Sequence, residues 1–162
     1  MPEMILLGWF HTILGVGAVL TGFYCVFNFK VISGDEVVGK TYLLLTLLVA
    51  VSALGIYNQG GFGIAHILAV LTLIALALGF VMEKVQLFGS LSKYFQALGY
   101  TSTLLFHMIP AITDFLRRLP VGDPFVDSFD DPLLVNFHLS FLVIYLVGII
   151  IQIFWLKRKV NT

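Results

Sequence analysis

Val38–Tyr57 reads VGKTYLLLTLLVAVSALGIY and Phe62–Met82 reads FGIAHILAVLTLIALALGFVM, with only Asn58-Gln59-Gly60-Gly61 between them. Each run is close to the roughly 20 apolar residues needed to cross a bilayer as a helix. The four polar and glycine residues between them form a turn. The pair carries one charge, Lys40, at its start. Two apolar runs joined by so short a link predict a transmembrane helical hairpin, and that sets the class of the whole chain.

The same pattern extends in both directions. Met4–Phe29 is uncharged between Glu3 and Lys30, Tyr94–Phe115 stops at Arg117-Arg118, and Pro132–Leu156 stops at Lys157-Arg158-Lys159. The expected fold is all-α, a polytopic bundle of five spans in one domain, residues 1–162. The spans are about 4–29, 38–57, 62–82, 94–115 and 132–156, and Val85–Lys93 is a short interfacial connector. The chain is 59% hydrophobic and 11% charged with no net charge, so nothing in it offers the basic surface that nucleic acid needs. One cysteine, Cys25, excludes an intrachain disulfide and a Cys-rich metal site, and its expected role is packing. The first run has no basic region ahead of it and is too long for the apolar core of a cleavable signal.

Charge sets the expected orientation. With five spans, Lys30, Lys40, Lys84, Lys93, Lys157, Arg158 and Lys159 fall on one side and Arg117 and Arg118 on the other. The basic side is cytoplasmic, which puts the C-terminus inside and the N-terminus outside. Trp9, Tyr94 and Trp155 lie near span ends, where aromatic belts form.

The chain has four histidines, and each falls on a different span. His11, His66, His107 and His138 all lie roughly 6–13 Å below the outer edge at 1.5 Å per residue. Ionisable groups are costly in lipid and tend to face a protein interior or a cavity. In span one, Gly8, His11, Gly15, Ala18, Gly22 and Cys25 form a stripe of small residues suited to close helix packing. In span four, Gln96, Tyr100, Thr103, His107, Pro110 and Asp114 form a polar stripe that cannot face lipid. His138, Tyr145 and Gln152 share one face of span five. In span three the small stripe is Ala65, Ala69, Thr72, Ala75 and Gly79, with His66 at its edge.

Any one of these rings is explained by a hydrogen bond to a neighbouring helix. Four at one depth point to at least two acting at one site, with His11, His107 and His138 first and His66 next. The expected cofactor is haem b held by two histidines from different helices, or a transition metal (Cu, Zn or Fe) bound by these imidazoles. Tyr100, Thr103 and Asp114 are expected around the ligands, in a redox, electron-transport or metal-handling role. Two alternatives come with it: a quinone or proton site without metal, and a non-catalytic subunit of a membrane complex or homo-oligomer. Among the remaining features, Asp114 and Arg117 are expected to pair at i,i+3. Asp131-Pro132 reads as an N-cap with proline at the first helical position, and Pro110 as a kink beside His107.

Trp9–Gly22, WFHTILGVGAVLTG, resembles the first helix of an uncharacterised bacterial family of membrane proteins, a domain of unknown function, and Gly39–Leu73 resembles the same family. Its pattern is a helix pair joined by a glycine-rich turn with a histidine in the following span, and Gly60, Gly61, Gly63 and His66 fit it. The family's further histidine just before span two is absent here, where Asp35-Glu36-Val37-Val38-Gly39-Lys40 stands. The resemblance covers about half the chain and implies no established activity. The expected location is the bacterial plasma (inner) membrane, with lipid as the surrounding partner.

Overall fold

The computed structural model describes residues 6–57 and 61–160, and no strand occurs among them. Five α-helices follow one another: α1 (Leu6–Phe29), α2 (Val37–Leu54), α3 (Ile64–Lys84), α4 (Ser92–Arg118) and α5 (Pro132–Val160), with a single 3-10 turn at Gly89–Leu91 ahead of α4. The predicted spans match these helices to within a few residues. Residues 58–60 of the expected turn lie outside the described residues.

Four helices, α1, α2, α3 and α5, are long and apolar enough to cross a membrane. α4 is long enough, at about 40 Å for 27 residues, but its polar stripe lowers its hydropathy. Its place in the bundle explains how it tolerates that stripe. α1 packs on α2, α2 on α3 and α3 on α4, and α4 returns to α1, so the four close into a bundle; α5 lies outside it, against α4. α4 therefore has neighbours on most sides, and Tyr100, Thr101, Thr103, Leu104 and His107 are all buried. α5 shows the opposite distribution. It buries Leu134, Gln152 and Leu156, while Val143, Ile144, Ile150, Ile151 and Phe154 point outward.

Without water to drive apolar burial in a bilayer, helices are held by close packing and interhelical hydrogen bonds. Glycine permits the closest approach here. A Cβ added to Gly99 of α4 would lie 2.8 Å from the Ala75 carbonyl oxygen and 2.9 Å from the Gly79 nitrogen of α3, so the two backbones touch. Gly22 of α1 similarly admits the Tyr42 ring of α2, 2.6 Å from where its Cβ would be. The small stripe of α1 is buried at Ala18, Gly22 and Cys25 but only half-buried at His11 and Gly15. In α3 the buried line is His66, Ala69, Thr72, Ala75, Gly79 and Met82. Ala65 is exposed, which corrects the expected stripe by one position at its start. The contacts are local: the Gly63 N–H donates to His66 Nδ1 at 3.1 Å, and the imidazole packs on the Tyr57 and Phe62 rings, 4.6 and 5.1 Å away between centroids.

The start of α5 obeys capping chemistry. Asp131 Oδ1 accepts the Leu133 N–H at 2.8 Å, with Pro132 as the first helical residue of α5. α4 continues through Pro110 to Arg118 without interruption.

Candidate functional site

The polar stripe of α4 builds the site. At its N-terminal end, Gln96 and Tyr100 both reach Glu83 on the last turn of α3. Gln96 Nε2 donates to Oε1 at 3.0 Å and the Tyr100 hydroxyl donates to Oε2 at 3.1 Å. The loop between α1 and α2 completes the cage: the Ser33 hydroxyl donates at 2.7 Å and the Gly34 N–H at 2.6 Å, both to Oε1. Four donors from two parts of the chain, α4 and the α1–α2 loop, thus converge on one carboxylate whose side chain is 5% exposed. Lys84 Nζ stands 3.7 Å from it and pairs at 3.1 Å with Asp35. Burying a carboxylate is tolerable only when it is paired and hydrogen-bonded in this way.

One turn further along α4, Thr103 meets Tyr42 of α2, both fully buried. The Thr103 hydroxyl donates its only proton to the Tyr100 carbonyl, so Tyr42 is the donor to Thr103. The other polar neighbour of the Tyr42 hydroxyl is the Thr46 side chain. His107 Nε2 lies 3.1 Å from Thr46 Oγ1, and the imidazole meets the Tyr42 ring edge-on. Thr46 and His107 are both buried. Towards the far end, His11 Nδ1 lies 3.2 Å from the Val49 carbonyl and 3.0 Å from the Ser52 hydroxyl. A carbonyl can only accept, so His11 carries its proton on Nδ1. His11 and His107 are within electrostatic range of each other.

The other two imidazoles stand apart from this line. His66 is buried at the start of α3, its Nδ1 used by Gly63 and its Nε2 without a partner among the described residues. His138 Nε2 lies 3.0 Å from Thr113 Oγ1. Thr113 gives its proton to the Ile109 carbonyl, so His138 is the donor. This contact belongs to a set that fastens α5 to α4, with Tyr145 on Ser102 at 2.8 Å and Thr101 donating to Gln152 at 3.0 Å. The shared face of His138, Tyr145 and Gln152 is as the sequence spacing predicts.

The four histidines therefore occupy four separate environments. The partners of His11 and His107 on α2, Ser52 and Thr46, are six residues apart, about 9 Å along the helix. Among the described residues, no group of three or more His, Cys, Asp or Glu side chains is placed to hold a metal ion. Of the residues expected around the ligands, Tyr100 and Thr103 bond to Glu83 and Tyr42, with no histidine contact. Asp114 is largely exposed and pairs with Arg118 at 3.3 Å, which corrects the expected pairing with Arg117. Arg117 instead lies over the Phe129 ring, 3.8 Å from its centroid.

Two cavities flank the line. A polar one of about 190 Å³ is lined by Glu83, Gln86, Ser90, Ser92, Lys93 and Gln96 at the basic end. An apolar one of about 360 Å³ lies between α2 and α3, among Leu43, Leu47, Leu73, Leu76 and Phe80, and reaches Tyr100.

Glu83, Thr46, Ser52 and Tyr42 escape a reading based on histidines. A signal for each exists in the chain. Tyr42, Thr46, Val49 and Ser52 recur at 4-3-3 spacing on α2, and Glu83 lies four residues past Gly79 on the buried line of α3. No family model, curated protein or solved structure matches the chain.

Proposed function

We propose that this chain is a five-span membrane protein whose seam along α4 moves protons between the basic end of the bundle and the histidine-bearing end. The supporting observation is the line of titratable and hydroxyl groups strung along the central helix: Glu83, Tyr100, Tyr42, Thr46, His107 and His11. Each has a hydrogen-bond partner inside the bundle. Glu and His can each take up and release a proton, and hydroxyls can accept and donate in turn. Rows of such groups within a membrane mark proton relays. The row runs alongside α4, which contributes Tyr100 and His107 and is shielded from lipid on most sides. It runs antiparallel to α3 and α5, which supports the reading that it crosses the membrane with them.

The competing readings make different predictions. If the row only locks helices together, an uncharged hydrogen-bonding residue at 107 serves as well as histidine. If the rings hold haem b or a transition metal, at least two of His11, His66, His107 and His138 must come together from the separate environments they now occupy.

The test is proton flux into proteoliposomes, followed with an entrapped pH-sensitive dye under a potassium-set membrane potential. The wild-type protein is expected to carry protons. His107→Gln, which keeps a group able to bond Thr46 but cannot titrate, is expected to abolish the flux. Equal flux in wild type and His107→Gln would establish the scaffold reading instead. A Soret band in the purified protein that vanishes in His11→Ala or His138→Ala would establish haem.

A further inference from the structure

We infer that Glu83 is the proton-loading residue at the basic end, and that the polar cavity beside it is the mouth through which water reaches it. This inference rests on the relay reading and gives it an entrance. Glu83 lies at the boundary of two environments. Glu83 lines the 190 Å³ cavity together with Gln86, Ser90, Ser92, Lys93 and Gln96. Its carboxylate accepts the Tyr100 hydroxyl of the buried seam. Of the seam's titratable groups, Tyr42, Tyr100 and His107 are buried, and Glu83 is the one the polar cavity reaches. A carboxylate there takes a proton from cavity water and returns it to water in the reverse step, with no other bond made or broken.

The charged and titratable groups around Glu83 come from every element packed on it. Lys84 is the next residue on α3, Asp35 lies on the α1–α2 loop beyond Lys84, Tyr100 is on α4, and Lys93 is across the cavity. Lys84 Nζ stands 3.7 Å from the carboxylate, and the cage of donors fixes its position. Three donors crowd Oε1, whereas Oε2 accepts only the Tyr100 hydroxyl among the described donors and keeps a lone pair for an incoming proton.

The cavity mouth can be closed without touching the cage. Ser90 is exposed and lines the cavity, while the native thiol, Cys25, is buried. A Ser90→Cys variant modified with a charged, membrane-impermeant methanethiosulfonate is expected to lose proton flux by at least about tenfold, and to regain it on adding reductant. The reagent should leave wild type and a Ser128→Cys control, on the opposite face, unchanged. Glu83→Gln should lose flux to a similar extent. If modified Ser90→Cys and Glu83→Gln both carry protons as wild type does, while His107→Gln does not, the entrance is elsewhere and the relay stands without it. If wild type carries no protons, the relay reading fails and this inference fails with it.

Discussion

At the scale of single residues, the strongest local commitment in this protein is the Glu83 carboxylate. Four donors point at it, and an unsatisfied buried donor costs about 1–3 kcal/mol. Glu83→Ala leaves four such groups to find water or each other. The cavity lets water serve Gln96, so the expected loss is about 2–4 kcal/mol rather than the full sum. Cys25 provides the readout, because it is the chain's only cysteine and is buried. A thiol-reactive fluorogenic dye should report unfolding as that thiol becomes exposed, and at a lower temperature in Glu83→Ala than in wild type. His138→Ala should cost far less, about 0.6–2 kcal/mol, because Tyr145 and Gln152 still hold α5. An unchanged melting temperature in Glu83→Ala would mean that the donors are equally well served by water.

At the scale of elements, the contact between α3 and α4 depends on two glycines. A side chain at Gly99 meets backbone atoms, which cannot rotate away as a side chain can. Overpacking of this kind costs about 1–3 kcal/mol, so Gly99→Ala should lower the melting temperature clearly and Gly99→Leu should prevent folding. Gly15→Ala is the matched control: a Cβ there meets nothing within 4 Å, and the melting temperature should not fall. α5 differs from the other helices in how it is held. Its polar contacts with α4 lie on one face, at His138, Tyr145 and Gln152, and Gln152 also donates to the Lys30 carbonyl at 2.7 Å. A variant with alanine at all three should keep the four-helix bundle folded while α5 becomes accessible to protease, as read on a gel of detergent-solubilised protein. Cleavage within α2 or α3 in the same variant would show that α5 supports the bundle rather than flanking it.

At the scale of the whole molecule, the basic residues gather where the α1–α2 loop, the end of α3 and the end of α5 meet. The contacts Gln152–Lys30 and Ser33–Glu83 bring these parts together. The positive-inside rule then predicts that a phosphatase reporter fused after Thr162 is inactive and that a fluorescent reporter at the same place is active. The opposite result would invert the bundle, and the mouth beside Glu83 would then face outside.

Much of this architecture is legible in the amino-acid sequence alone. Apolar runs of bilayer length are a one-dimensional property, so the five helices, their limits and the buried polar face of α4 follow from spacing. So does the face that α5 turns to α4, since residues seven apart on a helix share a side. What spacing leaves open is partnership across helices. Glu83 reads as the charge that ends an apolar run, and the donors that surround it, Ser33, Gln96 and Tyr100, come from distant stretches of chain. The four histidines look like one set because depth is readable from residue number, whereas rotation about each helix axis and the choice of partner are not. Packing settled those: Gly79 against Gly99, and Gly22 under Tyr42, set how the helices face each other. That in turn gave His107 to Thr46, His11 to Ser52 and His138 to Thr113. Depth is a sum along one chain, whereas contact depends on two helix surfaces at once.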